Sequence, residues 1–270
     1  MQSNLPSVAV ILRSKSAVLM TCLLLPLGAS AAMVTVFGGD PNWNSIGNTG
    51  GGSSAITATQ ARSGTGSVEM AGDRTRFNGL GNPFSAASNL GLLNSVSRLS
   101  FDWNIAVGSV TGLDADYTPA LRLHIWDGAQ RSELIWEGAY NGTYGNTTKG
   151  VWYTSGANDK FWRFQTGFGE TNDPGLVTLS LSDWQSGGNV AGAQWYSNDA
   201  YVSAISVGVG GSAGGGYRAF ADNVRFAIGN QDNTYNFEVQ GTSVVPEPGS
   251  LALVGLALAG LGFVRRRRAA

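Results

Sequence analysis

The stretch RLSFDWNI, residues 98–105, puts Leu99, Phe101, Trp103 and Ile105 on one face of an extended chain and Arg98, Ser100, Asp102 and Asn104 on the other. Successive side chains of a strand point to opposite faces, so a period of two marks a strand with one buried, apolar side. The period recurs where Leu121, Leu123 and Ile125 alternate with Arg122, His124 and Trp126, and where Val177, Leu179 and Leu181 alternate with Thr178, Ser180 and Ser182. Further strands are expected at residues 67–70, 133–136, 151–153, 161–164, 204–209, 219–226 and 234–239. Asn141-Gly142, Gly187-Gly188-Asn189 and Gly214-Gly215-Gly216 separate some of them. About ten short strands with glycine-rich turns predict an all-β chain folded as a single β-sandwich of jelly-roll type. No helical stripe of useful length runs through the body. One or two helical turns are expected at residues 84–93, and residues 35–54, with six glycines, read as a loosely ordered lead-in.

Composition bears on partners. Over residues 32–245 the chain carries 11 Lys and Arg against 17 Asp and Glu, a net of −6. An acidic body has no electrostatic footprint for nucleic acid.

Both termini read as targeting segments, giving three parts: a signal peptide at 1–31, a glycine- and tryptophan-rich domain at 32–244, and a tail at 245–270. Arg13 and Lys15 precede an apolar run at 17–27, and Ala29-Ser30-Ala31 supplies small residues for cleavage after Ala31. Cys22, the one cysteine, lies in that run and leaves with the signal, so the mature body has no disulfide. Lipidation at Cys22 is the competing reading, opposed by the bulk of Thr21. At the other end, 14 apolar or glycine residues at 251–264 fall short of the roughly 20 that span a bilayer. Arg265, Arg266, Arg267 and Arg268 then hold the C-terminus in the cytoplasm. Pro246 and Pro248 keep the chain around Glu247 extended and accessible outside the membrane.

Candidate chemistry is sparse. There is no G-x-S-x-G elbow, phosphate loop or H-E-x-x-H motif, which speaks against an enzyme of those classes. His124, the one histidine, leaves no His cluster for zinc; it reads as surface on a polar strand face, and any Ser-His-Asp triad would depend on it. Two carboxylate pairs, Glu133 with Glu137 and Asp114 with Asp116, have spacings a glycosidase could use. The first reads as a solvated strand edge and the second as a loop. Tyr140, Tyr144, Trp152, Tyr153, Phe161, Trp162 and Phe164 crowd into 25 residues. They either fill the sandwich core or, with Tyr144, Trp152 and Trp162 as the platform, stack on sugar rings. YRAFADNVRF, residues 217–226, resembles the closing strand of extracellular jelly-roll modules, some of which hold a structural calcium through Asp or Asn. That resemblance implies a calcium ligand at Asp222, and the alternative is a turn or strand-end hydrogen bond. No other cofactor is expected.

The closing VPEPGSLALVGLALAGLGFVRRRRAA resembles the PEP-CTERM sorting signal of Gram-negative bacteria in its Pro246-Glu247-Pro248 triplet, short apolar stretch and arginine cluster. That resemblance implies export through the inner membrane, transient anchoring by the C-terminal helix and removal of the tail by an exosortase as the protein reaches the cell surface or matrix. It also implies an association with exopolysaccharide and biofilm. LVTLSLSDWQSGG and YVSAISVGVGGSAGGGYRAFADNVRF resemble the glycine- and tryptophan-rich β domains that precede such tails. Two functions are expected to compete: a non-enzymatic surface protein that binds polysaccharide, and an extracellular glycan hydrolase.

Overall fold

The computed structural model describes residues 31–113, 117–142, 147–165, 178–186 and 195–239. Among them the chain runs through β1 (Ala32–Phe37), β2 (Trp43–Ser45), β3 (Ser53–Thr57), β4 (Ser67–Ala71), β5 (Thr75–Gly79), β6 (Gly91–Leu92), β7 (Val96–Ile105) and β8 (Ala120–Asp127). It continues through β9 (Gln130–Trp136), β10 (Trp152–Thr154), β11 (Lys160–Gln165), β12 (Thr178–Ser180), α1 (Leu181–Gln185), β13 (Tyr201–Val209), β14 (Arg218–Ile228) and β15 (Gln231–Glu238). Two sheets pack as a sandwich, as the period of two predicts.

The first sheet is organised on β14. One of its edges carries β7 along nearly its whole length, with β10 outside β7. The other edge is shared end to end: β4 pairs with residues 218–221 and β15 with residues 224–228. At the change of partner stand Asp222 and Asn223, the latter left-handed at φ 48°. The second sheet runs β12-β11-β9-β8-β13-β5-β2, with β6 also on β13. Its centre is a hairpin whose two-residue turn, Gly128-Ala129, sets His124 opposite Glu133 and Arg122 opposite Ile135. Gly128 supplies the positive φ that a tight turn demands.

Between the sheets lie Phe101, Trp103, Leu121, Leu123, Leu134, Trp136, Ile205, Val207 and Phe237, all essentially inaccessible. Trp103 stacks on Tyr153 at 4.9 Å, and Phe101 meets Trp136 edge-on at 5.1 Å. Aromatic rings of this size bring large apolar area out of water and dominate such a core.

Three local expectations change. The supposed lead-in is structured: β1 pairs in parallel with β15, β2 pairs with β5, and Trp43 is buried against Phe77 and Phe237. The expected cleavage after Ala31 falls immediately before β1. Residues 84–93 form a surface loop closing in β6, with Leu93–Ser95 a single 3-10 turn, in place of α-helix. The alternation at 177–182 ends at Ser180, whose hydroxyl accepts from the Asp183 backbone N–H while Asp183 accepts from the Ser180 N–H. That reciprocal cap starts α1 and overrides the strand pattern.

Candidate functional site

The outer face of the second sheet carries an unusual concentration of charge. Directly opposed residues share a face, so the register builds one row from Trp162, Ile135, Arg122, Ser206 and Asn78. Beside it runs Phe164, Glu133, His124 and Ala204. Arg76 sits opposite Gly208 on the same face. Here a β-carbon at Gly208 would lie 2.1 Å from the Thr75 carbonyl oxygen and 2.6 Å from Arg122 Nη1, so the absence of a side chain lets the guanidinium lie against the sheet.

Glu133 is the hub. Arg76 Nη2 donates to its Oε1 at 3.1 Å, Arg122 Nε stands 3.7 Å from its Oε2, and Arg131 Nη2 donates to Oε1. Burial alone would push this carboxyl up; His124, Arg76 and Arg122 outweigh it and hold Glu133 well below its ordinary range. Burial lowers Arg76 to about 10, with Glu133 opposing and Arg122 and Arg131 assisting. Arg76 Nε and Arg122 Nη1 are buried without a hydrogen-bond acceptor among the described residues.

His124 is fully buried, which corrects its reading as surface; the polar face was right and its exposure was not. The ring stands 2.8 Å from Ser206 Oγ through Nε2 and 3.4 Å from Glu133 Oε1 through Nδ1. Burial drives its pKa down to about 4, so it is neutral. Ser206, His124 and Glu133 thus stand in the order of a hydrolase triad. Ser206 is only 1% exposed, however, and no substrate carbonyl reaches it, so the trio is a buried hydrogen-bond chain.

The cover is the loop between β5 and β6. Phe84 lies over both Arg76 and Arg131, at 5.3 and 4.9 Å from its ring, and the Pro83 carbonyl accepts from Arg131 Nε. Ser88 donates to the Ser203 carbonyl and Tyr201 to that of Ala86, which pins the loop. Beside this cover opens a cleft of about 340 Å³ whose walls include Arg74, Arg76, Arg122, Glu133, Glu137, Tyr140, Trp162 and Phe164.

Glu133 and Glu137 therefore meet at one cleft. Glu133 is buried at 3% exposure on a strand internal to the sheet, not at a solvated edge. Trp162 Nε1 donates to Glu137 Oε2 at 3.3 Å, and Trp162 packs with Ile135, Tyr140 and Phe164 in a small cluster apart from the main core. Trp152 lies on β10 of the other sheet, opposite Asn104, so it shares no platform with Trp162. Phe161 and Tyr153 belong to the core. Tyr144, Asp114 and Asp116 lie outside the described residues, as do Ala29, the Pro246-Glu247-Pro248 triplet and Arg265 to Arg268.

Asp222 has a structural employment at the fork of the first sheet. Its Oδ1 accepts from the backbone N–H groups of Asn223 and Phe237, and its Oδ2 faces the N–H and hydroxyl of Ser63. These donors, left over where β4 gives way to β15, occupy the lone pairs a cation would use. Among the described residues no three His, Cys, Asp or Glu side chains are grouped to hold a metal.

The three arginines were not singled out by sequence reasoning. The signal lay in the hairpin: the Gly128-Ala129 turn fixes register, and register places Arg122 and His124 beside Glu133 and Arg131.

The body is thus a β-sandwich with a charged outer cleft, and the sequence closes on a proline-flanked, arginine-ended tail. Residues 244–268 match the PEP-CTERM protein-sorting motif, so the chain carries a PEP-CTERM signal and is an exosortase substrate, exported and held transiently in a membrane before processing. No curated protein and no solved structure matches the chain. No helix among the described residues is long and apolar enough to cross a membrane.

Proposed function

We propose that the body is a non-enzymatic polysaccharide-binding module, delivered by exosortase sorting to the cell surface or matrix and serving exopolysaccharide in a biofilm. The observation that carries this reading is the meeting of Trp162, Tyr140 and Phe164 with a wall of charged donors at one cleft. Aromatic faces pack against the apolar side of sugar rings while charged and polar groups bond their hydroxyls.

The competing hydrolase would need Glu133 and Glu137 as acid and base. A general acid must hold a proton near neutrality, and Glu133 is held ionised by His124, Arg76 and Arg122, so it could serve only as the base or nucleophile and the acid role would fall to Glu137. Affinity electrophoresis of the protein through gels containing different polysaccharides tests the proposal. Retardation by at least one polymer, lost in Trp162→Ala and unaccompanied by release of reducing sugar, is expected. Reducing-sugar release abolished by Glu133→Gln or Glu137→Gln would replace it with the hydrolase.

A further inference from the structure

We infer that the cleft is selective for acidic saccharides and takes the carboxylate of a uronate residue against Arg76 and Arg122. The inference rests on the polysaccharide-binding reading and adds the chemical class of the ligand.

Charge is the first argument. The body holds 11 cations against 17 anions, yet Arg74, Arg76 and Arg122 line this one cleft and Arg131 stands directly behind Glu133. The carboxylates among the lining residues are Glu133 and Glu137. A local positive field in an acidic surround, between low-dielectric walls, concentrates anions.

Donor count is the second. Each guanidinium presents about five N–H donors, whereas one carboxylate offers about four lone-pair sites. Arg76, Arg122 and Arg131 all converge on Glu133, which also faces His124. The surplus appears as Arg76 Nε and Arg122 Nη1, buried with no acceptor among the described residues. Arg122 is only 6% exposed. Buried donors without acceptors carry a desolvation penalty, which a ligand offering only acceptors relieves. Hydroxyls bring their own donors; a carboxylate does not, and it matches the planar fork of an arginine in bidentate fashion.

Shape is the third. A uronate joins a pyranose face to a carboxylate at one ring carbon. The cleft joins an aromatic wall, Trp162 with Tyr140 and Phe164, to an arginine wall within about 340 Å³, at the small end of ligand sites and suited to a single sugar residue with its substituents.

Polygalacturonate, alginate and hyaluronate are each compared with their carboxyl-reduced forms by isothermal titration against the full-length protein in detergent, with inorganic sulfate as a small-anion control. Binding to at least one acidic polymer, weakened tenfold or more by carboxyl reduction and equally by Arg122→Gln or Arg76→Gln, is expected. Trp162→Ala should weaken the acidic and reduced forms alike. Retained melting temperature in the arginine variants certifies their fold, and sulfate competition with the acidic polymer reports the same site independently of them. If reduced polymers bind as tightly as acidic ones, the inference falls while the polysaccharide-binding reading stands. If sulfate binds and no polymer does, or nothing binds, both fall.

Discussion

His124 and Asp222 titrate in overlapping windows with opposite effects on stability, and substituting either should uncover the other. Burial holds the His124 imidazole down from 6.5 to about 4. Between those values the unfolded chain takes up a proton that the folded chain refuses, so this group makes the fold more stable as pH rises. Burial, aided by Glu238 and opposed by three backbone N–H groups, holds the Asp222 carboxyl up from 3.8 to about 6. There the folded chain keeps a proton that the unfolded chain has released, so this group makes the fold less stable as pH rises. At about 1.4 kcal/mol per pH unit, each displacement contributes about 3 kcal/mol across its window. Between about pH 4.5 and 6 the contributions are about 2 kcal/mol each and nearly cancel. Glu133, whose pKa lies well below 4.5, adds its pH dependence at the acid side of this interval. Urea unfolding at several pH values, read by tryptophan fluorescence, therefore gives a nearly level profile for the parent protein. Asp222→Asn is expected to turn it into a rise of about 2 kcal/mol from pH 4.5 to 6, and His124→Gln into a fall of similar size. The comparison of slopes is insensitive to the uniform loss each substitution brings. An Asp222→Asn profile parallel to that of the parent would refute the reasoning, because the Asp222 carboxyl would then be ionised in the fold throughout.

Gly208→Ala places a methyl group 2.1 Å from the Thr75 carbonyl and 2.6 Å from Arg122 Nη1. Backbone cannot yield cheaply, so a loss of about 1–3 kcal/mol is expected in the same unfolding assay, together with weaker binding to whichever polymer the parent retains. Exosortase processing predicts that mass spectrometry of the surface form finds residues 265–270 missing, and that Pro246→Ala with Pro248→Ala leaves them attached in the membrane fraction.

What could be read from the sequence follows from which faces are apolar. The inner faces of β7 and β8 alternate over residues 99–105 and 121–125, and β13 and β14 alternate on either side of an irregularity at 202–204 and 222–225; all four strands stand where the pattern puts them. TRFNG, residues 75–79, gave no such signal, since its Arg76 and Asn78 face outward yet are covered: Asn78 is buried and bonds the Gly81 carbonyl. The cleft was hidden for the same reason. Local patterning assigns a side chain to a face, whereas its exposure depends on a loop whose Pro83 is 48 residues in sequence from the Arg131 it covers. The sorting tail was legible because three unlike elements, prolines, an apolar run and arginines, must occur in order.

The energetics of the covered face bear on why it exists. An outer sheet face turned to solvent needs no ion pairs, and one buried under a loop is stabilised most simply by apolar residues. Taking charges out of water costs several kcal/mol per ion even after relaxation, and a well-packed apolar replacement of a buried ion pair is often neutral or stabilising. Three guanidiniums around a single carboxylate are less favourable still, because their mutual repulsion adds to the cost of burial; burial first, and Arg122 and Arg131 after it, hold Arg76 down against the pull of Glu133. Stability alone therefore does not account for Arg76 and Arg122 lining the cleft while Arg76 Nε and Arg122 Nη1 are buried without acceptors among the described residues. An anionic ligand supplies the missing acceptors and the missing charge together. Replacing Arg122 by Gln should accordingly leave the ligand-free fold as stable as before, or more so, while binding is lost, and that separation of effects distinguishes a site from a scaffold.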